Sequence, residues 1–135
     1  MKYQQFYAVL DNWRHRSYDW EEANCCHFAA DVARCWGVDI DVPGFDDAEA
    51  AASWIREQGV RSLYHYLVML FGKPVAPLQA SRGFIAYRKG EGLDGSAIGA
   101  IERKALFVGS NGLSELPLSA CACAFDPGKY SGGAS

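Results

Sequence analysis

The side chains of this 135-residue chain best suited to chemistry are its five cysteines and three histidines. Cys25 and Cys26 are adjacent, Cys35 lies further along the same apolar stretch, and Cys121 and Cys123 alternate near the C-terminus; the histidines are His15, His27 and His65. A thiol at the start of a helix meets unpaired backbone N–H groups and the positive end of the helix dipole, which favour the thiolate. Cys25 and Cys26 therefore read either as a nucleophile position or as small residues packed tightly in a core. The odd number of cysteines and the lack of any Cys-x-x-Cys pair argue against a disulfide framework and against the usual metal-ligand spacings. A cysteine-ligated metal or iron–sulfur cluster remains an alternative resting on the cysteine count alone. The expectation is no metal and no cofactor.

The elements that must position these residues follow from periodicity and punctuation. Asn24 is a good helix cap, and from Cys25 to Trp36 the polar side chains His27, Asp31 and Arg34 fall at i, i+4 and i+7, with Gly37 closing the helix. Such a helix is buried nearly all round, with His27, Asp31 and Arg34 as a narrow solvated or interface stripe. Before it, Tyr3, Phe6, Leu10 and Trp13 share one face of a first helix, and residues 14–23 form a loop. After it comes a loop over Val38–Phe45 containing Pro43-Gly44. Asp46 or Asp47 then caps a third helix running to about Gln58. Ser62 caps a fourth, Leu63–Phe71, stopped by Gly72 and Pro74. Apart from His65 this fourth helix is almost wholly apolar. It must lie between two layers or meet another subunit, with Tyr64, Tyr66 and Met69 as candidate interface residues.

From Ser81 the pattern changes to short strands: Gly83–Tyr87, Ala97–Ile101, Ala105–Val108 and Ala120–Phe125, with Leu113–Leu118 as a further extended piece. The turns between them are Lys89-Gly90-Glu91-Gly92, Arg103-Lys104 and Gly109-Ser110-Asn111-Gly112. Cys121 and Cys123, two apart in a strand, point to one face and read as core. Helices first and strands second define an α+β domain, with an antiparallel sheet packed on the buried cysteine helix. One domain covers residues 1–127, and 128–135 read as a flexible tail. A net charge of −3 without a basic cluster argues against nucleic acid or an acidic membrane surface as partner. No basic run precedes an apolar segment and no apolar run is long enough to span a bilayer, so the expectation is synthesis in a reducing cytoplasm.

Four helices, a cysteine opening the buried one, and then a meandering sheet resemble the papain-like fold in its compact NlpC-type form, the bacterial cell-wall cysteine peptidases. Tyr18-Asp19-Trp20 matches that family's aromatic lead-in and Asn24-Cys25 its Asp-Cys. Ala80-Ser81-Arg82-Gly83 matches the approach to the first strand, with Phe84 where an aspartate would stand. More narrowly, Cys25-Cys26-His27-Phe28-Ala29-Ala30-Asp31, the Gly83 strand and the Gly112-Leu113 to Pro117-Leu118 segment are similar to a small family of phage and prophage proteins encoded among tail genes.

The resemblance implies Cys25 as the nucleophile position and a histidine base on the second strand, near Ser96-Ala97-Ile98-Gly99, where this chain has none. A cysteine peptidase needs a base within hydrogen-bond reach of its thiol. His27 is two residues from Cys25 on one helix and cannot face it. His65 sits on another helix, and His15 lies in the loop before the nucleophile. Glu21 and Glu22, if close, would oppose ionisation of the thiol. With no base identified, packing outweighs catalysis as the role of Cys25 and Cys26. The implied protein is a structural component of a phage or prophage tail tip or baseplate that keeps a peptidase-like fold without its chemistry. It would be made in the bacterial host cytoplasm, reside in the virion tail and bind other tail or baseplate proteins. The alternative is an active cysteine peptidase or amidase cutting peptidoglycan stem peptides through Cys25, with His15 or His65 as base.

Overall fold

A helix that buries most of its circumference needs partners on several sides, and the chain supplies them in order. The computed structural model describes residues 2–19, 21, 23–89, 96–109 and 111–130. Trp20, Glu22, the turn around 90–92, Ser110 and the final five residues therefore lie outside the described residues. Helix α1 (Lys2–Trp13) buries Phe6, Leu10 and Trp13, while Tyr3, expected on the same stripe, is exposed. Helix α2 (Cys25–Arg34) buries Cys26, Phe28, Ala29, Ala30, Val32 and Ala33. Helix α3 (Ala48–Glu57) starts at Asp47 rather than Asp46, because the Asp47 carboxylate accepts from Ala50 N–H at 2.9 Å. Helix α4 (Leu63–Phe71) has the expected bounds, with Ser62 as its cap and Gly72 at its end.

The sheet runs β1 (Ile85–Lys89), β2 (Ser96–Ile101), β3 (Ala105–Gly109), β4 (Gly112–Leu116) and β5 (Cys123–Phe125), in the spatial order β4-β3-β2-β1-β5 with every pair antiparallel. The pleat sends alternate side chains to opposite faces. Ile85, Tyr87, Ile98, Leu106 and Phe125 meet the helices, and α2 lies mainly along β2. Ala86, Ile101, Ala105, Phe107 and Ala124 form a second layer behind, covered by short 3-10 turns at Pro77–Gln79 and Leu118–Ala120. Both sheet edges are occupied in part. Val75 exchanges two backbone hydrogen bonds with Ala124 of β5, and Leu113 of β4 donates to the Arg14 carbonyl.

Several expectations are corrected by long-range packing. The last strand begins at Cys123 rather than Ala120, since 118–120 close into a 3-10 turn and the chain bends at Ala122. That bend resets the alternation, so Cys123 enters the layer facing α2 while Cys121 enters the opposite layer. Pro127–Lys129 form another 3-10 turn, and the Tyr130 ring packs on Phe71 at 6.2 Å. The apolar excess of α4 is absorbed within the chain, between α3 on one side and β5 and the 127–129 turn on the other. Tyr66, offered as an interface residue, is 7% exposed and meets the Trp54 ring edge-on at 5.5 Å. Tyr64 is half-buried against Tyr87 and Phe125, and of the three only Met69 is exposed.

The C-terminal end of α2 is fixed to the sheet by Trp36. A Cβ on Gly83 would run into the far edge of the Trp36 indole, and Gly83 has a φ of +89°, which L side chains rarely adopt. The Gly83 N–H donates to the carbonyl of Ile101, the last residue of β2, at 2.6 Å. Gly83→Ala should therefore destabilise the fold by about 2–4 kcal/mol through overpacking and backbone strain together. Chemical denaturation measures this directly, and a loss under about 1 kcal/mol would mean that Trp36 repacks freely.

Candidate active site at the start of the central helix

Because Trp36 ties the end of α2 to the end of β2, Cys25 lies at the opposite end of the sheet. There β2 begins at Ser96, β3 finishes at Gly109 and β4 starts at Gly112. Asn24 is completely buried, and its side-chain oxygen accepts from the N–H groups of Cys26 at 2.9 Å and His27 at 3.1 Å. Two of the orphan donors that a buried helix start would otherwise leave unpaired are thus satisfied. A neutral amide does this without burying a charge.

The loop before the helix folds back on itself through paired backbone hydrogen bonds between Asp19 and Ala23, at 2.8 and 3.1 Å. This brings Tyr18 onto Cys25. The phenol oxygen accepts from the Cys25 N–H, and the hydroxyl meets the Cys25 thiol. Burial, and then the nearby Cys25 and Cys26, push the Tyr18 pKa well above its ordinary value. Tyr18 therefore keeps its proton and cannot serve as the base for Cys25. Cys25 itself is half-buried, whereas Cys26, Cys35, Cys121 and Cys123 are buried; none of the five is joined in a disulfide among the described residues. Cys26 lies on the wall of a cleft with Tyr66, Leu70, Phe71 and Ile98, space of only about 20 Å³. That is too small for a ligand and marks Cys26 as a packing residue.

Two of the three histidines are engaged by other groups. His27 donates from Nε2 to the Val42 carbonyl at 3.2 Å, holding the 38–45 loop to α2 and leaving a buried Nδ1 without a partner. In His65, Nε2 must accept from Arg61, which can only donate, at 3.1 Å; Nδ1–H then donates to Ser62 Oγ at 2.7 Å. Both ring nitrogens are thereby committed at the start of α4. His15 is exposed and makes no side-chain hydrogen bond among the described residues, but its backbone sits against Gly112, at the Cys25 end of the sheet. Glu21, expected to oppose the thiolate if close, is exposed, and its backbone carbonyl packs against Gly44.

The stripe of His27, Asp31 and Arg34 is not an open face. The Asp31 carboxylate accepts from Trp13 Nε1 at 2.8 Å and from Arg34 at 2.6 Å, so α1 covers the middle of the stripe. The 38–45 loop covers His27, and only Arg34 is exposed. Among the described residues no group of three or more histidines, cysteines or carboxylates is placed to hold a metal ion. No helix among them is long and apolar enough to cross a membrane.

The class defined by these features is an α+β domain in which a cysteine-headed helix, capped by a buried asparagine, runs along an antiparallel sheet. Over residues 2–126 the chain matches the family model described as Domain of unknown function (DUF6950), and it belongs to that family. No curated protein and no solved structure matches it.

Two measurements test this geometry. Asn24→Ala should cost about 1–2 kcal/mol by removing the cap, with Asn24→Ser recovering part of the loss in thermal denaturation. The second concerns the buried thiols. Burial raises the pKa of Cys35 and Cys121, and burial with the neighbouring Cys121 raises that of Cys123 from 9.0 to about 11. A raised thiol pKa favours the folded state fully below pH 9.0 and progressively less as pH rises toward about 11. Stability should hold up to about pH 8 and fall above about pH 9, and Cys123→Ala should flatten that alkaline decline.

Proposed function

We propose that this chain is a peptidase-like scaffold, NlpC-type in its layout, that serves as a protein-binding component of a phage or prophage tail tip or baseplate rather than as a peptidase. The order of helices and strands and the placement of Cys25 at the start of α2 support that reading. The observation that carries the loss of catalysis is the disposition of the histidines. The second strand, where the resemblance implies the base, carries Ser96-Ala97-Ile98-Gly99, and His27 and His65 are bonded elsewhere. Tyr18, which contacts the thiol, has its pKa raised by burial and by the neighbouring Cys25 and Cys26 and is a poor base. Host-cytoplasm assembly and partnership with other tail proteins rest on the resemblance alone.

One observation favours the enzymatic alternative: Cys25 is the first residue of α2 and only half-buried, and His15 is anchored by its backbone to the same end of the sheet. Incubating the purified chain with a defined stem-peptide substrate separates the two readings. The scaffold reading expects no turnover, with Cys25→Ala leaving both the fold and association with neighbouring tail proteins intact. Turnover that vanishes in Cys25→Ala and falls about 100-fold or more in His15→Ala would overturn it in favour of a cysteine peptidase acting on peptidoglycan.

A further inference from the structure

At the far end of α2 from Cys25, about 15 Å along a ten-residue helix, the surface has a different character. Tyr3 and Tyr7 of α1 are 42% and 36% exposed, two of the few large apolar side chains that reach solvent. The Arg82 guanidinium lies 5.8 Å from both rings. Trp36 meets Tyr3 edge-on at 6.3 Å, and Lys2 stands over the Trp36 ring at 5.7 Å. One carboxylate organises the group: Glu102, in the β2–β3 turn, accepts from the Tyr7 hydroxyl at 3.2 Å and faces Arg82 at 3.8 Å and Arg103 at 3.9 Å. A recess of about 380 Å³ lined by Glu102, Arg103, Lys104, Leu106 and Glu115 adjoins it.

The charge here runs against that of the chain. Arg82, Arg103 and Lys104 stand with two carboxylates, Glu102 and Glu115, a surplus of one positive charge on a protein whose net charge is −3, and Lys2 adds a further cation over the adjoining Trp36 ring. The two arginines share Glu102 through long, solvent-exposed contacts, and such pairs contribute little to stability. The Arg82 and Arg103 side chains are 47% and 89% exposed, so they can reach an incoming carboxylate, which guanidinium groups bind in paired fashion. Tyrosine, tryptophan and arginine together are the composition of interface hot spots.

We propose that this patch docks an acidic polypeptide segment of a partner protein. Partner carboxylates meet Arg82, Arg103 and Lys104, and an apolar partner side chain lies across the exposed edges of Tyr3 and Tyr7. A nucleic acid fits less well, because its affinity comes from neutralising many phosphates in succession, whereas Glu102 and Glu115 interrupt the cations here. The inference adds a partner chemistry to the binding role proposed above. It does not depend on whether Cys25 is catalytic, since the two sites lie at opposite ends of α2.

The test uses the full chain and a panel of fluorescein-labelled peptides built on one Leu-Tyr core, carrying no, three or six Asp or Glu residues, with a labelled single-stranded oligonucleotide alongside. Fluorescence anisotropy should show affinity rising about tenfold or more from the neutral to the most acidic peptide and weakening with added salt. The double change Arg82→Glu, Arg103→Glu should abolish that dependence. Arg103→Glu alone, at a side chain 89% exposed and so harmless to the fold, should weaken the most acidic peptide about threefold or more. Affinity indifferent to peptide charge, a dependence unchanged in the single and double variants, or tighter binding of the oligonucleotide would each overturn the proposal. A negative result here leaves the stem-peptide measurement standing, so the two failures are distinguishable.

Discussion

The structure depends on the near-complete burial of α2. Six of its ten residues are buried, three of them alanines, and these small side chains let the helix lie close along β2. Burial limits the water available to what is polar on such a helix, so several of its polar groups dictate a neighbour. The first N–H groups require Asn24. Asp31 takes the indole N–H of Trp13, which is 1% exposed, and this fixes how α1 crosses. His27 takes the Val42 carbonyl and so draws in the 38–45 loop. Trp36 closes the other end against a glycine. The arrangement of the N-terminal half thus follows largely from what one helix needs in order to be dry.

What the sequence makes legible is what local chemistry controls. Ser62 and Gly72 bound α4 where capping and stop signals say they should, and the short apolar runs locate β1 to β3, with β1 at Ile85–Lys89 displaced by two residues from the expected Gly83–Tyr87. What it hides is set by contacts distant in the chain. Nothing local says that the bend at Ala122 sends Cys121 and Cys123 to opposite layers. The apolar surface of α4 was equally compatible with a second subunit. One side of its actual cover, β5 and the turn at Pro127–Lys129, comes from residues more than fifty positions away. Tyr130 belongs to the fold for the same reason.

The candidate site divides in the same way. Cys25 and its cap are visible as residue types at a helix start. The contact of Tyr18 with the thiol is not, because it depends on the 19–23 loop doubling back; the clustered aromatic and acidic residues before Asn24 were the only local signal. Asp31 and Arg34 look like a surface stripe by spacing, and only the position of Trp13 shows the carboxylate to be a structural acceptor. A helical period gives the direction of a side chain; it does not say what lies there.

The sheet edges bear on how this chain behaves when many copies are crowded together. An open strand edge is a template for pairing with another chain, and an assembly that concentrates one subunit is where such pairing is most costly. Here β5 is only three residues long and is already bonded through Val75, while β4 is met by the Arg14 carbonyl and carries exposed Glu115 before Pro117 ends it. Neither side offers an extended, flat, uncharged run. The sheet is therefore finite by construction, and copies of this protein can stand side by side without their strands zipping into one another.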